Sequence, residues 1–426
     1  MPGEVHAEDP KLSLRVFGMG NSHIIAQPTE RADFLPQFHA DALGNPAIPI
    51  DNGYSFTLSF RIVRLVCRNS RKFLIQIVCR LDGYSNANDK ENMTSTYLGY
   101  LSHDDPLYGY FQSQIAPQLG ITSGDGSYRV SRFNESHDVY LYAEEHMGTQ
   151  WVGKFFKTAD PEWSRKKGEN EYNNLLYLRG LGFSSQPHYV VKPLGFNPGI
   201  DNVLIVEYVT GEPLSKIIID AMYFGNRNRL YKKLSALAHF LATLHNRTAG
   251  DYAVNFDENY QYMGRLVQSL VEKQGLGREY AEAFWSLRDI WRSRRCMWED
   301  RNVIVHGDTT PANFLFGRRN HVMAIDLERM KWSDRVFDLG RLCGELKHFF
   351  FRGTQDPFSA EPFIGHFLWE YCRYFPDHEN TFRSITQRIP FYMGITLLRI
   401  SRNAWIDGEY RTRLIHEARQ ILSASI

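Results

Sequence analysis

The chain has 426 residues, enough for two or three domains at about 100–200 residues each. Hydrophobic residues at 43%, aromatics at 14% and charged residues at 23% argue for a sizeable buried core and against disorder. Lys and Arg number 49 against 48 Asp and Glu, so no global field calls for nucleic acid or an anionic membrane surface.

The mean hydropathy is −0.39, and no apolar run approaches the roughly 20 residues of a spanning helix. The acidic, polar start MPGEVHAEDPKLSL is unlike a secretory signal. Five scattered cysteines form no CxxC and no even framework, so a reducing cytoplasm is expected.

The first fifty residues are weakly patterned. Residues 55–81 read as a β-hairpin: Phe56, Leu58, Phe60 and Ile62 alternate, Arg68–Arg71 makes the turn, and Phe73, Ile75, Ile77 and Cys79 alternate again. The polar stretch Asn86–Asn92 then breaks the pattern. Asp105–Leu119 suits a helix with an Asp N-cap and Gly120 past its end. Residues 128–133, 138–144 and 150–157 read as antiparallel strands. A helix over Gly168–Arg179 and an apolar strand over Val203–Tyr208 follow. Leu230, Leu234, Leu237, Leu241 and Leu244 give Arg229–Asn246 one apolar face. Further helices fit 261–273, 277–296, 335–351, 362–374, 384–404 and 409–423. Sheet first, helices afterwards, signals an α+β chain with two lobes.

The most informative stretch is Val303–Phe316, VIVHGDTTPANFLF. An apolar strand feeds a polar loop holding His306, Asp308 and Asn313, and a second apolar strand follows. A few residues on, VMAIDLE ends another apolar strand in Asp326 and Glu328, which alternation puts on one face. Oxygen ligands from Asn313 and Asp326 suit a hard cation, and Mg²⁺ prefers one or two carboxylates plus phosphate oxygens and waters.

The His-x-Asp-x4-Asn spacing is that of a kinase catalytic loop. The form HGDxxPxNFLF, followed by IDLE and FDLG, resembles the aminoglycoside phosphotransferase and choline kinase superfamily over residues 105–426. FDLGRLCGE, from Phe337 to Glu345, resembles the pattern of choline and ethanolamine kinases. The resemblance implies a bilobal protein-kinase-like fold. Residues 1–104 form an unassigned extension with the hairpin, 105–208 a small antiparallel-sheet N-lobe, and 209–426 a mostly helical C-lobe.

It implies that Asp308 is the catalytic base and that Asn313 and Asp326 bind Mg²⁺. His306 and Asp338 would hold the catalytic loop. Glu328 would either orient Asp326 or reach a second metal. Lys154, the one Lys on the apolar strand Trp151–Phe156, resembles the lysine that pairs with the ATP phosphates. Its expected partner is Glu171, which shares the packed face with Leu175 and Leu178; Glu169 is the alternative. The segment Arg132–Leu141 has no glycine, a departure from kinase phosphate loops, and Ser136 with Asn134 would meet the phosphates instead. LIVEYVTGEPL resembles the interlobe hinge, where the main chain at Glu207 and Val209 would bind adenine.

The expected reaction is transfer of the γ-phosphoryl group of ATP to a hydroxyl of a small molecule, an amino-alcohol, sugar or related metabolite, with no nucleic-acid partner. The alternative is a catalytically weak kinase-like nucleotide-binding or regulatory protein. A protein kinase is disfavoured, because only eleven residues separate Asp326 from Asp338, too few for an activation segment. Aromatics from Trp332 to Trp405 offer either a cation–π box for choline or helix-core filling. From Arg341 onward, eleven basic residues against nine acidic ones leave +2, which disfavours a polycationic aminoglycoside.

Overall fold

The structure, a computed structural model, describes residues 95–121, 126–133 and 138–424 in full, and five earlier strands by their backbone pairing. The chain divides into two compact units, Met1–Lys90 with Tyr223–Gly225, and Glu91–Met222 with Asn226–Ile426.

In the first unit, β1 (Leu14–Met19), β2 (His23–Pro28), β3 (Ala47–Ile50), β4 (Tyr54–Leu65) and β5 (Leu74–Asp82) form one antiparallel sheet ordered β1-β2-β5-β4-β3. The β4–β5 hairpin is the one its alternation predicts, with Phe60 opposite Cys79 and Ile62 opposite Ile77. The Arg68–Arg71 turn and the stretch Asn86–Asn92 lie outside the described residues.

The second unit opens with β6 (Ser95–Tyr100) and α1 (Pro106–Tyr110). Asp105 caps α1 by accepting the Leu107 N–H at 2.9 Å, and the helix runs on with changing pitch to Leu119. Then come β7 (Tyr128–Phe133), β8 (Val139–Glu144), β9 (Gln150–Phe155), α2 (Pro161–Gly180), β10 (Ser184–Ser185), β11 (His188–Val190), β12 (Pro193–Asn197) and β13 (Val203–Glu207). A six-stranded antiparallel sheet runs β12-β13-β9-β8-β7-β6. It recruits Ser95–Tyr100, upstream of residue 105 where the lobe was expected to start. Its inner face buries Phe111, Tyr128, Tyr142 and Trp151 edge to face, with Phe111 and Trp151 centroids 5.2 Å apart.

The rest of the unit is mostly helical. It comprises β14 (Glu212–Pro213), α3 (Leu214–Tyr223), α4 (Arg227–Arg247), α5 (Asp257–Gln274), α6 (Arg278–Ser293), β15 (Asn302–Val305), β16 (Phe314–Phe316), β17 (Val322–Ala324), β18 (Lys331–Asp334), α7 (Val336–Thr354), α8 (Glu361–Cys372), α9 (His378–Thr386), α10 (Ile389–Ser401) and α11 (Gly408–Ser423). The leucine face of α4 is buried as its spacing predicts. The helix expected over 384–404 is instead two, because Asp377 caps α9 and Pro390 sits in the first turn of α10. Short sheets β10-β11-β17-β16-β14 and β15-β18 frame the loop that follows β15. The unit is α+β and bilobal. No helix among the described residues is long and apolar enough to cross a membrane.

Candidate active site

Lys154 leaves β9, where it pairs with Val139 on one side and Leu204 on the other. Its Nζ donates to Glu171 Oε2 at 2.7 Å and to Asp326 Oδ1 at 2.6 Å, and Glu328 Oε2 lies 3.4 Å away. One ammonium thus joins the sheet, α2 and the segment after β17. Burial opposes the Lys154 charge, but Glu171, Asp326 and Glu328 together carry its pKa above the ordinary lysine range. Burial raises Glu171 against the pull of Lys154, and the neighbouring Asp326 and Glu328 add to the rise. The pocket therefore holds more negative charge than Lys154 neutralises. Glu169, by contrast, points outward to Arg165.

The loop after β15 is built on Asp338, in the first turn of α7. Its Oδ2 accepts the His306 N–H at 2.7 Å and its Oδ1 accepts the Gly307 N–H at 3.0 Å. Thr309 Oγ1 donates to the Asp338 carbonyl, and His245 Nε2 lies 3.2 Å from Oδ2. Complete burial works against the Asp338 charge, but the bond to His245 and the Gly307 N–H hold its carboxyl below the usual range. Gly307 has φ +81°, and a Cβ there would meet the Arg329 carbonyl oxygen at 2.0 Å, so glycine alone fits.

His306 is buried. Its Nδ1 accepts the Asp308 N–H at 3.3 Å, and its Nε2 meets the Ile325 carbonyl at 3.1 Å, so Nε2 carries the hydrogen. Asn313 Nδ2 donates to the Asp308 carbonyl at 3.0 Å, which leaves Oδ1 as that side chain's acceptor. The Ile325 N–H donates to the Asn313 carbonyl at 3.1 Å. Ile325 is thus held from both sides, and the next residue, Asp326, adopts φ +62°, a left-handed conformation a non-glycine residue keeps only when its surroundings impose it. Carboxylate oxygens of Glu171, Asp326 and Glu328 lie within 4.8 Å of one another. That all-oxygen set, which Lys154 Nζ engages here, has the donor chemistry that suits a hard divalent cation.

Asp308 stands between two guanidiniums. Arg341 Nη1 donates to Oδ1 at 2.9 Å, and Arg329 Nε lies 3.7 Å from Oδ2.

A model described as the phosphotransferase enzyme family matches residues 129–375. The chain belongs to that family. It is a kinase-type phosphotransferase that acts on hydroxyl acceptors. The fold is similar to an ADP-bound aminoglycoside phosphotransferase, APH(2'')-Ib, at 18% identity and TM-score 0.47 over 74% of this chain and 99% of that one. It is similar to an ethanolamine kinase of Plasmodium vivax, at 15% identity and TM-score 0.49 over 76% and 89%. Choline kinase LicA from Streptococcus pneumoniae aligns at 18% identity and TM-score 0.43 over 68% and 90%. No curated protein matches the chain.

In this phosphotransferase, Lys154, Glu171 and Asp326 meet directly, while Asp308 and Asn313 join them through Ile325. Glu207 ends β13. Its side chain accepts from the Tyr189 hydroxyl and the Lys192 N–H, and its own N–H donates to the Lys192 carbonyl at 2.9 Å. Val209 follows, partly buried. Ser136 and Asn134 lie outside the described residues. The aromatics are dispersed: Tyr371 reaches His245, Tyr392 reaches Asp334, and Trp405 lies against Arg352. Arg341 and Arg329, which bracket Asp308, escaped the sequence reading. Arg341 lies three residues after Asp338 on α7, so helical spacing puts the two on one face, but that spacing does not say which loop the face meets.

Proposed function

We propose that this phosphotransferase moves the γ-phosphoryl group of Mg·ATP to a hydroxyl of a small metabolite, working in the cytoplasm. The observation that carries the reading is Lys154, from the sheet lobe, bonded at 2.6 Å to Asp326, from the helical lobe. Lys154 would hold the ATP phosphates and Glu171 would hold Lys154, with Ser136, between β7 and β8 in the sequence, capping the phosphates. The main chain at Glu207 and Val209 would receive adenine, on a strand end that the Glu207 side chain ties to Tyr189 and Lys192.

Asn313 and Asp326 would hold Mg²⁺, which supplies charge neutralisation for the phosphates. Glu328 would balance the cations of the cleft, since it meets Lys154, Lys167 and Arg329. Asp308 would accept the proton of the acceptor hydroxyl as its oxygen bonds to phosphorus, with ADP as leaving group. The chemistry is mainly positioning, and the Asp338 anchor supplies it by fixing the loop that carries Asp308.

The test is activity against Mg²⁺ concentration for Asp326→Ala and Asn313→Ala. Both midpoints should rise, that of Asp326→Ala further, because a carboxylate attracts the ion more strongly than an amide oxygen. Unchanged midpoints would refute the metal assignment.

A further inference from the structure

A base for a hydroxyl substrate needs open access on at least one oxygen, yet both oxygens of Asp308 face guanidiniums. Arg341 rises from α7 and is almost fully buried, at 4% exposure, so its position beside Oδ1 is fixed by packing. Arg399 is paired with Glu345, on the same helix as Arg341. Arg329 is half exposed and lies 3.7 Å from Oδ2. Arg329 Nε also lies 3.6 Å from Glu328 Oε1, and Lys167 Nζ lies 2.9 Å from Glu328 Oε2, so two carboxylates, Asp308 and Glu328, stand against three cations where the acceptor must arrive. An ammonium placed beside the reactive hydroxyl would be repelled there, and an anion would be drawn in.

Arg329 also belongs to a cavity of about 320 Å³. Its other walls are Trp163, Lys167 and Asn170, on one face of α2, together with Glu328. That volume suits a small metabolite. It offers two cationic side chains, Arg329 and Lys167, against the single carboxylate of Glu328, which both already touch. Arg329 thus spans from the cavity to Asp308.

We propose that the acceptor is itself an anion, a hydroxy acid or a sugar phosphate in chemical class. Its negative group sits in this cavity against Arg329 and Lys167, with its hydroxyl turned to Asp308 between Arg329 and Arg341. This narrows the acceptor class and rests on the reading of Asp308 as the base. It sets amino-alcohols and aminoglycosides aside on the charge around Asp308 alone.

The experiment follows ADP release by the full chain with Mg·ATP on acceptors matched in skeleton and different in charge. Glucose and glycerol are the neutral set, glucosamine and ethanolamine the cationic set, and gluconate, glycerate, glucose 6-phosphate and glycerol 3-phosphate the anionic set. Efficiency on anionic members should exceed that on their neutral and cationic partners by about tenfold or more, and the carboxylate and phosphate arms identify the group. Equal or better transfer to a neutral or cationic acceptor overturns the inference and leaves the phosphotransfer reading intact. Transfer to none of them overturns that reading, and the inference with it.

Arg329→Gln supplies an independent check at a half-exposed position. Loss of a charged hydrogen bond should raise KM for the anionic acceptor on the order of tenfold to a hundredfold, with KM for ATP unchanged. A rise in KM for ATP alone would give Arg329 to the nucleotide phosphates and overturn the inference.

Discussion

Lys154 touches three carboxylates from two parts of the chain, Glu171 on α2 and Asp326 and Glu328 after β17. Removing it leaves Glu171 buried beside two other negative charges. Lys154→Met should weaken Mg·ATP binding, and Glu171→Gln should do so more mildly. Because both changes act on one ion pair, the double variant should lose less than the sum of the single losses. A double-mutant cycle on ATP affinity reads this, and strict additivity would show that the two act separately. Glu171 was legible beforehand, since its spacing to Leu175 and Leu178 put it on the packed face. Asp338 was legible from its motif alone. Arg341 was not, because nothing in a linear reading says that a basic residue one turn after an anchoring aspartate will fold back onto the catalytic loop. The left-handed backbone at Asp326 was also hidden, since it is imposed by His306 and Asn313 through Ile325 and not by local propensity.

At the level of elements, α2 positions Glu171, and its approach to the sheet depends on Gly168. A Cβ there would meet Phe196 at 2.5 Å and Phe156 at 2.9 Å. Gly168→Ala gains up to about 1 kcal/mol of helix propensity. Overpacking two core rings costs about 1–3 kcal/mol. The net effect should be a lower melting temperature, with weaker Mg·ATP binding as Glu171 moves off Lys154. A melting temperature at or above that of the parent would show that the rings yield freely. The same glycine explains a misplaced boundary. Reading Gly168 as the start of the helix overlooked Asp160 and Pro161, which cap and open it; Asp160 accepts from the Glu162 and Trp163 N–H groups. Strands β7, β8 and β9, six residues each, and the apolar β13 were legible, whereas β6 and β12 were not read from the sequence. The two- and three-residue strands β10, β11 and β14 carry no period and exist only through their partners.

At the scale of the whole chain, the second unit contains the complete six-stranded sheet, the two hydrophobic cores found among the described residues and every described residue of the candidate site. A chain beginning at Met93 keeps β6 and should fold and retain phosphotransfer. Thermal melting and an ATP-turnover assay decide; an insoluble or inactive product would make residues 1–92 integral to the catalytic unit. Family membership was legible in the HGD-x4-N loop and the strand ending in Asp326, because catalytic loops hold chemistry in short contiguous runs. The proposed acceptor site was not, because it would join α2, the segment after β17 and α7, which are far apart in sequence. The central claim is that Asp308 acts as the base of a Mg·ATP-dependent transfer. Its most direct measurement is turnover of purified Asp308→Asn beside its melting shift with Mg·ATP. The shift should persist while turnover falls by about 10²–10⁴. Turnover near that of the parent, with the shift intact, would contradict the account.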